Sequence, residues 1–265
     1  MKSTQTQKRH LEVRLAQNQL EIEQTLSLRY NIFNLELEQG LPASHATRKD
    51  RDEYDLYCDH LIVVDKARDN MIVGTYRMLR GAVARKHKGF YSESEFILEG
   101  VYDLEDEVCE IGRSCVHPEY RDGSVITYLW IGLGMYMNEF NVRYLMGCGS
   151  VHTGNAEEAS KIYAYLKSKN AIADLAIKAT PRPDHVMPGF RTDYVIDDEK
   201  AVSRSIPPLI KGYIRAGSKI IGTPAYDAVF GTTDYFITFN LSEVEKRYGR
   251  HYFRDDRSLM QGFSG

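Results

Sequence analysis

Two ionisable residues, Glu110 and Arg113, interrupt the apolar run from Val108 to Val116, and leaving either one buried without a partner would be costly. Desolvation makes a carboxylate hold its proton more tightly unless a cation answers it, which suits Glu110 to act as a general base near neutral pH. The alternative is a structural ion pair of Glu110 with Arg113 or with Arg77. Arg29, Arg77 and Arg113 lie on three different segments. Converged, their guanidinium forks would either orient a carboxylate substrate or pin the acidic loop. That loop, Ala43 to Asp59, carries Asp50, Asp52, Glu53, Asp55 and Asp59. It has the charge to hold an ammonium group, and as much reason to be a solvated loop whose carboxylates cap their own turns. Neither a D-x-D-x-D-G loop nor a His pair at helical spacing accompanies it, so no metal site is expected.

A second constellation follows the apolar run. His117-Pro118, Arg121, Gly123 and Ser124 stand between a strand and an apolar helix, where free N–H groups and the positive helix end suit a phosphate. A phosphate loop normally uses several glycines for close approach, and this turn has one. Arg80, Arg85, Lys86, His87 and Lys88 form the densest basic cluster; it is a solvated face or a docking surface for an acidic protein. Tyr163 is a phenol that could protonate a leaving thiolate, or simply core packing. Cys115 has no readable base partner and is discounted as a nucleophile. His60 and His117 flank strands, where either could relay a proton.

The elements that must carry these residues follow from periodicity. A strand is expected over His10 to Leu15 and a helix from Gln19 to about Leu37. A hairpin is expected from Leu61–Asp65 and Ile72–Leu79 around Arg68-Asp69-Asn70. Ser92 to Ile97 reads as a short helix, Val108 to Val116 as the central strand, and Ser124 to Phe140 as the helix behind it. Arg143 to Cys148 is a further strand and Asn155 to Lys169 a further helix. This alternation demands a partly parallel, mixed central sheet with helices on both faces, an α/β three-layer sandwich. Beyond it, Ile172 to Lys178 reads as a strand, Pro207-Pro208 opens a helix to about Ala216, and Lys219–Ile221 and Asp234–Leu241 read as final strands. Ser242 with Glu245 suggests a capped last helix. No linker or repeat divides the chain, so one domain is expected over 10–253, with loose tails at 1–9 and 254–265.

Composition removes several classes of function. A net charge of −3 over 265 residues lacks the basic excess that general nucleic-acid binding needs. No apolar run approaches the ~20 residues of a membrane-spanning helix, which leaves peripheral membrane contact open. The four cysteines form no C-x-x-C pair and no signal peptide opens the sequence, which together read as reduced thiols in a cytoplasmic protein.

The predicted element order, with the run Ala159-x-x-Ile-Tyr163, resembles the GNAT superfamily of N-acyltransferases. Three segments are similar in more detail to bacterial ornithine N-acyltransferases, the first enzymes of ornithine-lipid synthesis. They are Asp52-Glu-Tyr-Asp55 with Cys58-Asp-His60, then Glu110-Ile-Gly-Arg-Ser-Cys-Val-His-Pro118 with Tyr120-Arg121, and finally Pro207-Pro-Leu-Ile-Lys-Gly-Tyr213 through Pro224-Ala-Tyr-Asp227. Together they span nearly the whole chain after the first helix, and they are more specific than GNAT topology alone. A thinner likeness extends to autoinducer synthases and long-chain N-acyl amino acid synthases. Arg29, Phe33, Asp52 or Asp55, Arg77 and the Glu110-x-x-Arg113 pair are similar in order and spacing to autoinducer-synthase functional residues.

The resemblance implies transfer of a long acyl group, with or without a 3-hydroxyl, from acyl carrier protein to the α-amine of ornithine or a similar amino acid. It implies Glu110 as base, backbone N–H groups at Cys115 and Val116 for the oxyanion, and Arg29, Phe33, Asp52, Asp55, Arg77 and Arg113 around the substrate. It implies Arg121, Gly123 and Ser124 at the phosphopantetheine, and Arg85, Lys86 and Lys88 against the carrier protein. GNAT enzymes that use coenzyme A usually carry an R/Q-x-x-G-x-G/A turn, whereas this chain reads Arg121-Asp-Gly123-Ser-Val125. The missing second glycine favours the carrier's single phosphodiester over coenzyme A, with no tightly bound cofactor expected. The alternatives left open are an N-acyl amino acid synthase for glycine or tyrosine, an autoinducer synthase using S-adenosylmethionine, and a non-catalytic haemolysin-like protein that binds lipid or acyl carrier.

Overall fold

The structure, a computed structural model, describes residues 8–240. In chain order the regular elements are β1 (Leu11–Leu15), α1 (Gln19–Tyr30), α2 (Ser44–Thr47), β2 (Asp59–Asp65), β3 (Met71–Arg80), α3 (Gly81–Ala84), β4 (Phe96–Glu99), β5 (Val108–Val116) and α4 (Ser124–Glu139). They continue as β6 (Tyr144–Val151), α5 (Ala156–Ser168), β7 (Ile172–Ala173), β8 (Lys178–Pro181), α6 (Glu199–Ser205), α7 (Pro208–Ala216), β9 (Lys219–Ile221), β10 (Ala225–Asp227) and β11 (Thr232–Asn240). The fold class is mixed α/β, as expected. Local chemistry sets many boundaries. Asn18 caps α1 and Asn155 caps α5 through side-chain acceptors, and Gly217 at φ 103° ends α7. The β2–β3 turn places Asp69 and Asn70 at φ 50° and 57°, the left-handed pair that tight hairpins favour.

The described chain divides into two compact units, residues 8–78 with 111–140, and residues 79–110 with 141–240. In the first unit β1 pairs antiparallel with β2, β2 with β3, and β5 lies beside β3. Leu28, Ile32, Ile62, Val64, Ile72 and Cys115 make one of its apolar clusters. α4 packs on β1 and β2. A Cβ on its Gly132 would sit 2.5 Å from Val13 Cγ2 and 2.9 Å from Leu61 Cδ1, so the bare backbone is what lets this helix approach the strands.

In the second unit Val108–Glu110 of β5 run parallel to Tyr144–Met146 of β6. β6 pairs antiparallel with β11, β11 with β9 and β10, and β9 parallel with β7. β4 and β8 form a separate antiparallel pair. Ile162, Tyr163 and Leu166 of α5 pack with Ile210, Ile220 and Tyr235 in this unit's core, so Tyr163 lies in the packing.

Four expectations are corrected. The helix from Gln19 remains α-helical only to Tyr30 and continues as a π turn over Asn31–Glu36. Ser92 to Ile97 is not a helix but a 3₁₀ turn, Tyr91–Ser94, followed by β4. Phe96 is fully buried while Ile97 is 46% exposed, the two-residue alternation of a strand. Ile172 to Lys178 is split, because β7 joins β9 whereas Lys178 opens β8 against β4. α6 and β10 were not anticipated at all; α6 is capped by the Asp198 side chain on Ala201 N. The Ser242–Glu245 helix start and the far tails lie outside the described residues. Among the described residues no helix is long and apolar enough to cross a membrane.

Gly132→Ala should lower stability by about 1–3 kcal/mol through overpacking against Val13 and Leu61. The urea midpoint should fall with an unchanged slope; an unmoved midpoint would show that α4 does not depend on this close approach.

Candidate functional site

In the first unit the three arginines do converge, and what they meet is the acidic loop. Arg29, from the last turn of α1 and fully buried, donates from Nε to Asp50 at 2.9 Å and from both Nη atoms to Asp55 at 2.6 and 3.2 Å. Arg77 of β3 donates to Asp52 at 2.5 Å and to Asp55 at 3.3 Å. Arg113 lies farther off, 3.6 Å from Asp50 and 4.0 Å from Asp52, with its guanidinium 5.6 Å from the Phe33 ring centroid. Asp52 and Asp55 also close a capping box at the 3₁₀ turn Glu53–Leu56. Of the two sequence readings of these arginines, the one that pins the loop is what the geometry displays. Asp50 and Asp55 are buried, while Arg48, Arg51, Glu53 and Leu56 of the same loop are exposed.

Burial would raise the Asp55 carboxyl, but Arg29 and Arg77 outweigh it and hold the group down at about 2. His60 is buried 3.9 Å from Asp55, and loss of water lowers its pKa, which makes the neutral ring the resting form.

Arg113 sits on β5 with φ 50°, a left-handed conformation uncommon for a residue with a side chain. Downstream, Cys115 is buried, and burial pushes its thiol up to about 12, consistent with discounting it as a nucleophile. Val116 O accepts from Arg121 Nε at 3.1 Å, and the Arg121 fork grips Glu36 at 2.5 and 2.8 Å. Gly123 has φ 94° and open space where a Cβ would project. Ser124 N and Oγ both donate to Asp122 Oδ1, at 3.0 and 2.6 Å. The turn thus opens α4 as expected, with a carboxylate already on its first N–H.

Glu110 belongs to the second unit and is 5% exposed. Its Oε2 accepts from Tyr91 N at 2.6 Å, and its Oε1 accepts from Ser92 N at 2.8 Å and from Ser92 Oγ at 2.5 Å. Both oxygens act as acceptors at the start of a 3₁₀ turn, the role of an ionised carboxylate. A second carboxyl, Glu95, is buried with Cys148, Asp234 and Asp227 acting on it. Sequence reading missed it, because Glu95 sits in a segment taken for a short surface helix and its neighbours are distant in the chain. Arg85, Lys86 and Lys88 are exposed beyond α3, with Arg85 2.7 Å from Glu105. Among the described residues no group of His, Cys, Asp and Glu could hold a metal.

The Arg29–Asp55 pair makes stability pH-dependent with a definite sign. The folded-state pKa of Asp55 lies below its unfolded value, so the contribution is complete above about pH 4 and is lost as pH falls through about 2. Arg29→Met should cost about 3–5 kcal/mol at neutral pH by stranding buried carboxylates. In denaturant titrations its deficit against the parent should shrink below about pH 4; a deficit independent of pH would assign the loss to packing.

Comparison with known proteins follows this geometry. A family model described as acetyltransferase (GNAT) domain matches residues 28–131. The chain is 36% identical over 251 residues to an L-ornithine N(alpha)-acyltransferase of Agrobacterium fabrum, covering 91% of this chain and 85% of that protein. It is 34% identical to the protein of the same name from Rhizobium meliloti, covering 93% and 85%. Among solved structures, a CoA-dependent acyl-homoserine lactone synthase, BjaI, with MTA, aligns with a TM-score of 0.50 at 13% identity, covering 92% of this chain and 89% of that one, a likeness of fold. An acyltransferase with a GNAT domain is what these findings describe, and the chain belongs to the family of the L-ornithine N(alpha)-acyltransferases.

Proposed function

We propose that this enzyme transfers a long fatty acyl group, with or without a 3-hydroxyl, from acyl carrier protein to the α-amine of ornithine. The relatives' shared name and near-full-length match support the acceptor. The observation that carries the chemistry is Glu110, a buried carboxylate on a core strand whose oxygens accept from Tyr91 N, Ser92 N and Ser92 Oγ. These donors fix the direction of the carboxylate's lone pairs, the geometric requirement for a general base.

Glu110, through a water, takes one proton from the substrate ammonium. The free amine attacks the thioester carbonyl, and backbone N–H groups at Cys115 and Val116 receive the developing oxyanion. Collapse expels the pantetheine thiolate, which takes up the proton that nitrogen loses as the amide forms. Arg113, half-buried with Asp50 and Asp52 at 3.6 and 4.0 Å, orients the substrate carboxylate. Arg29, Asp52, Asp55 and Arg77 hold the loop that frames it, with Phe33 under Arg113.

The donor's phosphodiester meets the Gly123–Ser124 helix start. Arg121 exchanges Glu36 for it, a swap eased by the partial exposure of both partners. Asp122 already occupies Ser124 N–H, and that negative charge disfavours the several phosphates of coenzyme A more than the carrier's one. The exposed Arg85, Lys86 and Lys88 steer the acidic carrier.

Glu110→Gln should fold and lose turnover by about 10²–10⁴-fold. Full activity with acyl carrier protein and ornithine would remove Glu110 from the mechanism. Reversing charge at Arg85 and Lys86 together should raise the apparent KM for acyl carrier protein while leaving kcat nearly intact. An unchanged KM would eliminate the docking face.

A further inference from the structure

The donors on Glu110 are the near end of a longer chain. Ser92 Oγ, which donates to Glu110, lies 3.3 Å from Cys148 Sγ as that thiol's acceptor. Cys148 in turn lies beside the buried Glu95 side chain, close enough for each group to act on the other. Four elements contribute, namely β5 with Glu110, the Tyr91–Ser94 turn with Ser92, β6 with Cys148, and Glu95 immediately before β4. Glu110 pairs in register with Met146, two residues before Cys148 on β6, which accounts for the thiol's place beside the turn.

A hydroxyl and a thiol each carry one hydrogen, so the direction of such a chain is set by its far end. If Glu95 is protonated, its O–H donates to Sγ, the thiol to Ser92 Oγ, and Ser92 to Glu110. Each hydrogen is then committed and each bond polarises the next. If Glu95 is ionised, the thiol turns back to it and the Ser92 hydroxyl loses its donor.

Several observations favour the first state. Glu95 is 4% exposed and its Oε2 has no hydrogen-bond partner among the described residues, a poor site for a charge. Burial, and then the negative charges of Asp234 on β11, Asp227 on β10 and Glu110 on β5, push the Glu95 carboxyl up to about 9. His185, in the turn Pro183–His185, acts on Asp234, whose Oδ2 accepts from Thr232 at 2.8 Å. The Cys148 thiol is raised well above its usual value by burial, so it too keeps its proton.

We propose that Glu95 and Cys148 are positioning residues for Glu110, joined to it through Ser92 in a one-way hydrogen-bonded chain that commits the Ser92 hydroxyl to the Glu110 carboxylate. The proposal rests on the reading of Glu110 as the base. Neither Glu95 nor Cys148 touches substrate; they act on the reaction by fixing the base's orientation and protonation.

The test uses the full chain with acyl carrier protein and ornithine. Cys148→Ala should lower kcat roughly tenfold, the worth of one hydrogen bond, with the KM for ornithine little changed. Cys148→Ser, which keeps a donor, should recover most of that loss. Glu95→Gln supplies a donor that does not titrate, so the ratio of parent to variant kcat should fall several-fold between about pH 7 and pH 10 as Glu95 ionises. The acceptor amine's own titration cancels in that ratio. Independently of activity, infrared spectra of the parent at neutral pH should show a protonated-carboxyl band that Glu95→Gln lacks. A flat ratio, a missing band, or Cys148→Ser as impaired as Cys148→Ala would overturn the chain. An inactive Glu110→Gln beside an indifferent Cys148→Ala would sink this proposal alone, whereas a fully active Glu110→Gln would sink the base assignment beneath it.

Discussion

Arg29 has no exposed surface, and a guanidinium cannot escape its charge by losing a proton. Its burial therefore dictates much of the first unit. It draws Asp50 and Asp55 inward, those carboxylates fix the course of a loop whose composition would otherwise leave it in water, and the loop supplies Asp52 to Arg77. Arg29, Arg77 and Arg113 face Asp50, Asp52 and Asp55, three charges against three. Such a cluster is not the most stabilising way to fill a core, because desolvation consumes much of the Coulombic gain. Its effect is specificity of position. α1 and β3 are tied to one loop by bonds with direction, and β5 by the longer Arg113 ion pairs, where apolar packing would tolerate sliding.

The second unit answers buried charge in another way. Glu110 accepts from Tyr91 N, Ser92 N and Ser92 Oγ, and Glu95 is held up toward its neutral form. The contrast bears on chemistry. Asp55, pressed down by two arginines, is useless as a base at neutral pH, whereas Glu110 is held by backbone and hydroxyl donors at the Tyr91–Ser94 turn. The two solutions lie three residues apart on one strand, Glu110 and Arg113, and this is why the strand reads as an apolar run with two intrusions.

What the sequence made legible depended on how local the cause was. β2 and β3 showed in alternation and in the Asp69-Asn70 turn, α5 in its Asn155 cap, and α7 in Pro208 and Gly217, each signal lying within a few residues of its effect. The Arg–Asp cluster was readable as a set of residue types but not as a choice between substrate and loop, because that choice depends on a fold placing residues 29, 50, 55 and 77 together. The turn at Tyr91–Ser94 was misread for a related reason. Its first N–H groups are answered by Glu110, nineteen residues on from Tyr91, and its local cap, Glu93 on Phe90 N, does not distinguish a 3₁₀ turn from a longer helix. Glu95 was invisible, since Cys148 and Asp234 are brought together by the β6–β11 pairing and Glu95 reaches them from a different sheet, just before β4.

The helix start at Gly123 shows how a departure from a familiar pattern can be a property and not a defect. A turn rich in glycine exposes many N–H groups and suits a ligand with several phosphates. Here one glycine takes the left-handed conformation, Asp122 fills the Ser124 N–H, and Arg121 is held by Glu36. The two carboxylates lower the positive potential available to an anion. In the proposed reaction the donor is anchored mainly elsewhere, by its protein on the basic face and by its acyl chain, so a weak phosphate contact suffices to set the thioester's depth. A strong one would slow release of the discharged carrier, and with a large protein leaving after every turnover that step bears directly on rate.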